Sequence, residues 1–375
     1  MIPRWQIAGI CLLFILFAVS LSAAKDVDIF DSNRTQQQTE AVIPQLADKR
    51  VVFIGEDHGR YEEHLGQLEI IQRLHMAAPG HWVIGVEYFQ RSFQPYLDAY
   101  IDGSLGEREF LIKTEYFERW GYDYRLYRPI FRYAREQRIP LVALNAEREL
   151  TDEVGKLGLE ALPPADRARL PQQIDQPDSA YRQRLREAFD GHPATGDFER
   201  FVEVQSVWDE SMAQTVSNYL AAHPDKGMVV LAGSGHIAFG SGIPTRVKRR
   251  LPDAAIAILL PADKPEDDSQ GADYILISSN ATLPASGKMG ITMDRTRNSA
   301  DGVTIKTVSS DSAAAQAGLR SGDRIVAIDG QPIHSQGDVQ LALLDKEPGQ
   351  PLLLRVERQD ASGRQEITAN LTLQK

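Results

Sequence analysis

Short, uninterrupted apolar runs recur along the first two thirds of the chain. They alternate with longer stretches whose apolar residues return every three or four positions. The runs are Val51-Val52-Phe53-Ile54, Trp82-Val83-Ile84-Gly85-Val86, Leu141-Val142-Ala143-Leu144, Met228-Val229-Val230-Leu231-Ala232 and Ala255-Ile256-Ala257-Ile258-Leu259-Leu260. Short aliphatic runs without alternating polar positions predict strands covered on both faces. Between them, Leu65, Leu68, Ile71 and Leu74 share one face of a predicted helix over 60–77. Ile130, Phe131 and Ala134 do the same over 126–137, and Phe201, Val204, Trp208, Met212, Val216 and Leu220 mark a long helix over 198–222. Strand–helix alternation of this kind predicts an α/β domain with a largely parallel sheet flanked by helices. Residues 151–197, rich in Pro, Gln and Arg, read as a helical insertion and a candidate lid. One further strand, Tyr274 to Ile277, follows a polar, acidic stretch at 262–272.

The two ends depart from this pattern. Ile7 to Leu21 is almost unbroken apolar sequence behind Arg4, and Ser22-Ala23-Ala24 supplies small residues where a signal peptidase reads. Residues 1–24 therefore predict either a signal peptide or a retained N-terminal anchor. Both imply export, to the periplasm or to a membrane face turned toward it. Cys11, inside that run, is the only cysteine of the sequence. A chain without the leader would have no disulfide, no thiolate metal site, no covalent c-type haem and no Cys nucleophile. Residues 25–40 are Gln/Thr-rich and read as a tether, and the α/β domain is expected over 41–280. The net charge of −11 argues against a nucleic-acid partner, which requires a basic face.

After a Ser/Ala/Pro/Gly linker at 281–286, residues 287–375 carry a different signature. Gly318-Leu-Arg-Ser-Gly322-Asp-Arg-Ile-Val-Ala-Ile-Asp-Gly330 joins a helix-ending glycine, a strand and an Asp-Gly turn. This stretch resembles a PDZ domain, a small and mainly β module. Met289-Gly290-Ile291 resembles its carboxylate-binding loop. The resemblance implies that a peptide or protein C-terminus adds as a strand beside Ile291.

The polar residues of the front domain cluster at predicted strand ends. The first strand runs into Gly55-Glu56-Asp57-His58, the second into Glu87-Tyr88, the third into Asn145-Ala146-Glu147 and the fourth into Gly233-Ser234-Gly235-His236. The carboxyl ends of parallel strands share one sheet edge, where ligands bind. Glu56, His58, Glu87 and His236 are therefore expected to converge, with His64 pointing back from the following helix. A His–carboxylate set can serve as a general base for hydrolysis, in which case these four residues are the catalytic candidates. It can instead ligate a divalent metal, or it can be a hydrogen-bonded network that closes the sheet edge. The Gly233-Ser-Gly235 stretch does not read as a dinucleotide site, because Gly240, Gly242 and Pro244 break the helix that should follow.

These motifs together resemble the ChaN-like haem-binding family, within a superfamily that includes erythromycin esterases and Tiki-type proteases. The resemblance rests on Val52-Phe-Ile-Gly-Glu-Asp-His58 with His64 and Gln67, Gly85-Val-Glu87, and Trp120-Gly-Tyr-Asp-Tyr-Arg-Leu-Tyr127. It continues through Pro140 to Asn145, Gln205-Ser-Val-Trp-Asp209, and Ala232-Gly-Ser-Gly-His236. It implies a haem-binding envelope protein linked to iron uptake and a homodimer in which a tyrosine ligates haem iron. Ligand-binding candidates under this reading are His58, His64, Tyr122, Tyr124, Tyr127, Gln205, Asp209 and His236. The hydrolase relatives leave an enzymatic alternative open, and a pure interaction module is the third reading.

Overall fold

A computed structural model describes residues 27–191, 196–294, 302–360 and 363–375. The expected leader at residues 1–24, with Cys11, lies outside the described residues. Eight strands form the front sheet: β1 (Val27–Asp31), β2 (Gln36–Gln37), β3 (Val51–Glu56), β4 (Trp82–Gln90), β5 (Leu141–Asn145), β6 (Gly227–Gly233), β7 (Ile256–Pro261) and β8 (Tyr274–Ser278). Their order is β2-β1-β8-β7-β3-β6-β4-β5. The six strands β3 to β8 run parallel, and only β1 and β2 are antiparallel to their neighbours.

Helices cover both faces, as the unbroken apolar strands require. They are α1 (Thr39–Ala47), α2 (Tyr61–Ala77), α3 (Gln94–Asp102), α4 (Glu107–Lys113), α5 (Tyr116–Arg119), α6 (Arg128–Gln137), α7 (Arg148–Leu157), α8 (Pro164–Arg167), α9 (Ser179–Gly191), α10 (Phe198–Ala222) and α11 (Ile243–Arg250). The core divides accordingly. Val52, Ile54, Ile84 and Val86 pack toward α1, α2 and α6, while Val51, Phe53, Val83 and Val230 pack toward α10 and α11. Among the described residues of the predicted insertion at 151–197, the end of α7 and the helices α8 and α9 are joined by non-helical stretches. Leu162 and Leu170 bury against Val154 and Val207.

Two expectations need correction. The expected tether at 25–40 is part of the fold from Val27 onward: β1 pairs with β8 over Val27↔Ser278 to Asp31↔Tyr274, and Val27 and Ile29 are buried. The segment reads as polar because an edge ribbon turns its alternate residues to water. The second correction concerns strand length. β4 continues to Gln90, so Glu87 and Tyr88 lie inside the strand, with a register shift against β5 between Val86 and Gln90.

The C-terminal unit is a six-stranded antiparallel sheet of β9 (Ile291–Met293), β10 (Val303–Val308), β11 (Arg324–Ile328), β12 (Gln331–Pro332), β13 (Pro351–Asp360) and β14 (Gly363–Thr372). Two helices, α12 (Ala313–Gln316) and α13 (Gln336–Leu343), complete it around a core that includes Ile305, Ile325, Leu354 and Leu371.

Candidate functional site

β3 ends on Glu56, whose side chain is buried and satisfied by several donors. His58 Nδ1 lies 2.8 Å from Oε1, Gln67 Nε2 donates to Oε2 at 2.9 Å, and the Tyr88 hydroxyl donates to the same oxygen. His64 Nδ1 stands 3.5 Å from Oε2. Burial alone would raise the carboxyl pKa, but the hydrogen bonds from His58 and His64 outweigh it and hold Glu56 well below the usual carboxylate range. The same pairing raises His58 and His64 above an ordinary imidazole, against the opposing effect of burial.

A second half of the site faces this one across β6. His236 Nδ1 lies 2.7 Å from Asp209 Oδ1, and its Nε2 stands 3.6 Å from Glu87 Oε1. Asp209 comes from the middle of α10, and its other oxygen accepts from Tyr181 of α9 at 2.8 Å. Glu87 Oε2 accepts the Gly233 amide at 2.7 Å. Burial pulls the His236 pKa down, yet the Glu87 charge and the Asp209 bond push it up to about 9. Gly233 lets the two halves meet. A β-carbon there would lie 3.0 Å from the His58 ring and 3.7 Å from Glu87, so the absent side chain leaves room for the imidazole.

Glu56, His58, Glu87 and His236 thus gather at one sheet edge, and His64 and Asp209 join them. Gln205 lies one helical turn before Asp209 and is half-buried. The three tyrosines separate by exposure. Tyr122 is 40% exposed, whereas Tyr124 and Tyr127 are 0% exposed and enclosed in the core. The Tyr122 ring sits 5.0 Å from that of His58, and Trp120 packs edge-on to His58 at 4.8 Å. Tyr127 supports the site from below, its ring 4.3 Å from those of His64 and Tyr88 and its hydroxyl 3.2 Å from the His58 carbonyl.

Sequence reasoning missed Tyr88 and Trp120 as parts of the site. Tyr88 follows Glu87 in the strand-end motif, and a strand sends adjacent residues to opposite faces. Trp120 opens an aromatic segment whose path back over His58 no local pattern reveals. A divalent metal lacks a ligand set: among the described residues no group of three His, Cys, Asp or Glu side chains is arranged to hold one. His58 and His236 are committed through Nδ1 to Glu56 and Asp209, and His64 shares Glu56 with His58. Hydrolysis would use one of these imidazoles as base, and pairing with a carboxylate raises the basicity of both rings.

The family model for haem-binding uptake proteins of the Tiki superfamily, ChaN, matches residues 42–247, more than half of the chain. The chain belongs to this ChaN family. A PDZ domain model matches residues 287–372. The fold agrees with the family. A solved structure of ChaN of Campylobacter jejuni with cofacial haem binding superposes with a TM-score of 0.55, covering 68% of this chain and 98% of that one at 18% identity. Among curated proteins, 58 residues are 43% identical to the Regulator of sigma-E protease RseP of Salmonella typhimurium, covering 16% of this chain and 13% of that protein. The Escherichia coli protein of that name is 46% identical over 55 residues, 15% of this chain and 12% of its own. The chain therefore spans only a small fraction of either curated relative. The ChaN match takes in the whole strand-end cluster, from Glu56 to His236.

Proposed function

We propose that this chain is an exported, haem-binding protein of the cell envelope that serves haem or iron uptake, and that its PDZ domain docks the C-terminus of a protein partner. The ChaN family match across the site carries this reading. The residues present fit the ligand. Haem carries two propionates, which need cations, and the partly exposed His58 beside Tyr122 is held toward the imidazolium form. Ferric iron accepts a phenolate ligand, and Tyr122 is the exposed phenol beside His58. The same reading assigns the export signal to residues 1–24 and a homodimer to the haem-loaded state, with Tyr122 near the contact between copies.

Titration of the purified chain with hemin tests the proposal. The expected result is a saturable Soret shift at micromolar hemin. Tyr122→Phe should weaken binding about tenfold or more, a loss of about 1.4 kcal/mol. Tyr124→Phe should leave the affinity unchanged. No saturable shift in the wild-type chain would overturn haem binding. A shift that survives Tyr122→Phe unaltered would overturn the ligand assignment.

A further inference from the structure

The groove of the C-terminal unit is built by both domains. β9 is the outermost strand of its sheet, so its second edge is open to an added strand among the described residues. α13 forms the opposite wall through Val339 and Leu343, and Phe117, Asp123 and Arg125 of the front domain line the same cavity of about 440 Å³. At the closed end, Gly290 takes a left-handed conformation (φ 77°), and the Met289 and Gly290 amides donate to no backbone acceptor among the described residues. Among the charged lining residues Arg125 is paired with Asp123, and Lys288 is the remaining cation. Two amides without a backbone acceptor, a lysine and an apolar pocket suit an extended peptide that ends in a free carboxylate after an apolar residue.

The segment that supplies the front-domain wall also holds the groove helix and covers His58. Glu118 of α5 accepts hydrogen bonds from Ser335 Oγ at 2.8 Å and from the Gly337 amide at 3.1 Å. A carboxylate here meets the unsatisfied amides and positive pole at the start of α13. The far face of α13 is seated in the front-domain core through Leu341, with Leu344 just past the helix end in the same core, and Arg108 donates to the Leu341 carbonyl at 3.0 Å. Two residues beyond Glu118, Trp120 lies against the His58 ring, and Tyr122 follows it. A shift of α13 therefore acts on Glu118, and a shift of α5 acts on the cover of His58.

We infer that the peptide groove and the His58–Tyr122 rim are coupled through α5: a peptide seated between the two domains alters the affinity of the rim for its ligand, and the ligand alters peptide affinity by the same factor. The inference rests on the peptide-groove reading given above, and its test does not require haem.

The full chain, without hemin in any arm, tests it. A displayed library of random peptides with free C-termini is selected, and the enriched peptide is titrated as acid and as C-terminal amide. The acid should bind about tenfold or more tightly than the amide. With ¹³C-labelled histidine, the His58 Cε1 resonance, assigned by His58→Asn, should shift with the acid peptide and saturate with it. In Glu118→Ala the peptide should still bind and the His58 resonance should stay still. No enriched peptide, or equal binding of acid and amide, overturns the groove and the inference with it. Acid-selective binding with an unmoved His58 in the wild type, or a shift that persists in Glu118→Ala, overturns the coupling alone.

Discussion

His236 shows how the site sets charge one residue at a time. Its imidazole is buried between Asp209 and Glu87, and these carboxylates lift its pKa from 6.5 to about 9 despite desolvation. A group whose pKa is higher folded than unfolded binds its proton more tightly in the native state. Its contribution, at most roughly 3 kcal/mol, is therefore fully present below pH 6.5 and fades as the pH rises through 9. Urea unfolding of the wild type at pH 6.5, 8 and 9.5 should show stability falling across this window. His236→Asn should flatten the fall and leave a protein already weakened at pH 6.5. An unchanged slope in the variant would mean that another group titrates there. The sequence disclosed the partners in part. Glu87 and His236 were expected to converge because both close parallel strands, and Asp209 was named only through the family motif. Its role as the partner of His236 depends on how α10 lies along the sheet, which its 3.6-residue period does not specify.

At the scale of elements, the strands β3 to β8 and the helix α10 were legible because each is long or strongly apolar enough to declare its period. β1 was not. Its five residues alternate, and only Val27 and Ile29 face inward. It is nonetheless fastened on both sides, by the β8 ladder and by the Val27 amide donating to Glu69 Oε2 at 3.0 Å. Ile29→Asp would place a charge at a position that is 1% exposed, with no cation across the ladder to receive it. The expected cost is about 3 kcal/mol or more, read as a lowered urea midpoint. The same substitution at Asn33, in the β1–β2 turn, should be neutral within about 0.5 kcal/mol. Equal effects at the two sites would show that the segment is loosely held. The aromatic segment 116–127 was the hardest to read. Its tyrosines divide into enclosed Tyr116, Tyr124 and Tyr127 and exposed Tyr122, and that division follows from packing against β4 and α6, not from composition.

For the whole molecule, the domain boundary visible in the sequence marks a change of fold but not a gap in packing. Leu341 of the PDZ helix α13 and Leu344 just past its end bury among front-domain residues. Arg128 joins Glu107 to Asp345 across the same junction. Nothing in the periodicity of 336–344 announced this second apolar face, since a short helix between a groove and a core has few polar positions to contrast. Scanning calorimetry should show one coupled transition for the wild-type chain. Leu341→Ala with Leu344→Ala should cost about 2 to 5 kcal/mol each and resolve two transitions. Two transitions already present in the wild type would mean that the junction contributes little to stability.

The close approach of Glu118 to Gly337 has an evolutionary consequence. A β-carbon at position 337 would fall 2.0 Å from the Glu118 carboxylate, so any side chain there must displace the capping acid. A side chain at 337 then requires the Glu118 carboxylate to swing away and give up its bonds to Ser335 and Gly337, whereas loss of the acid leaves Gly337 without a clash. Across homologous two-domain chains, residues 118 and 337 should covary, acid with glycine. Lineages that lose the pair together should be those in which the PDZ domain has come free of its neighbour.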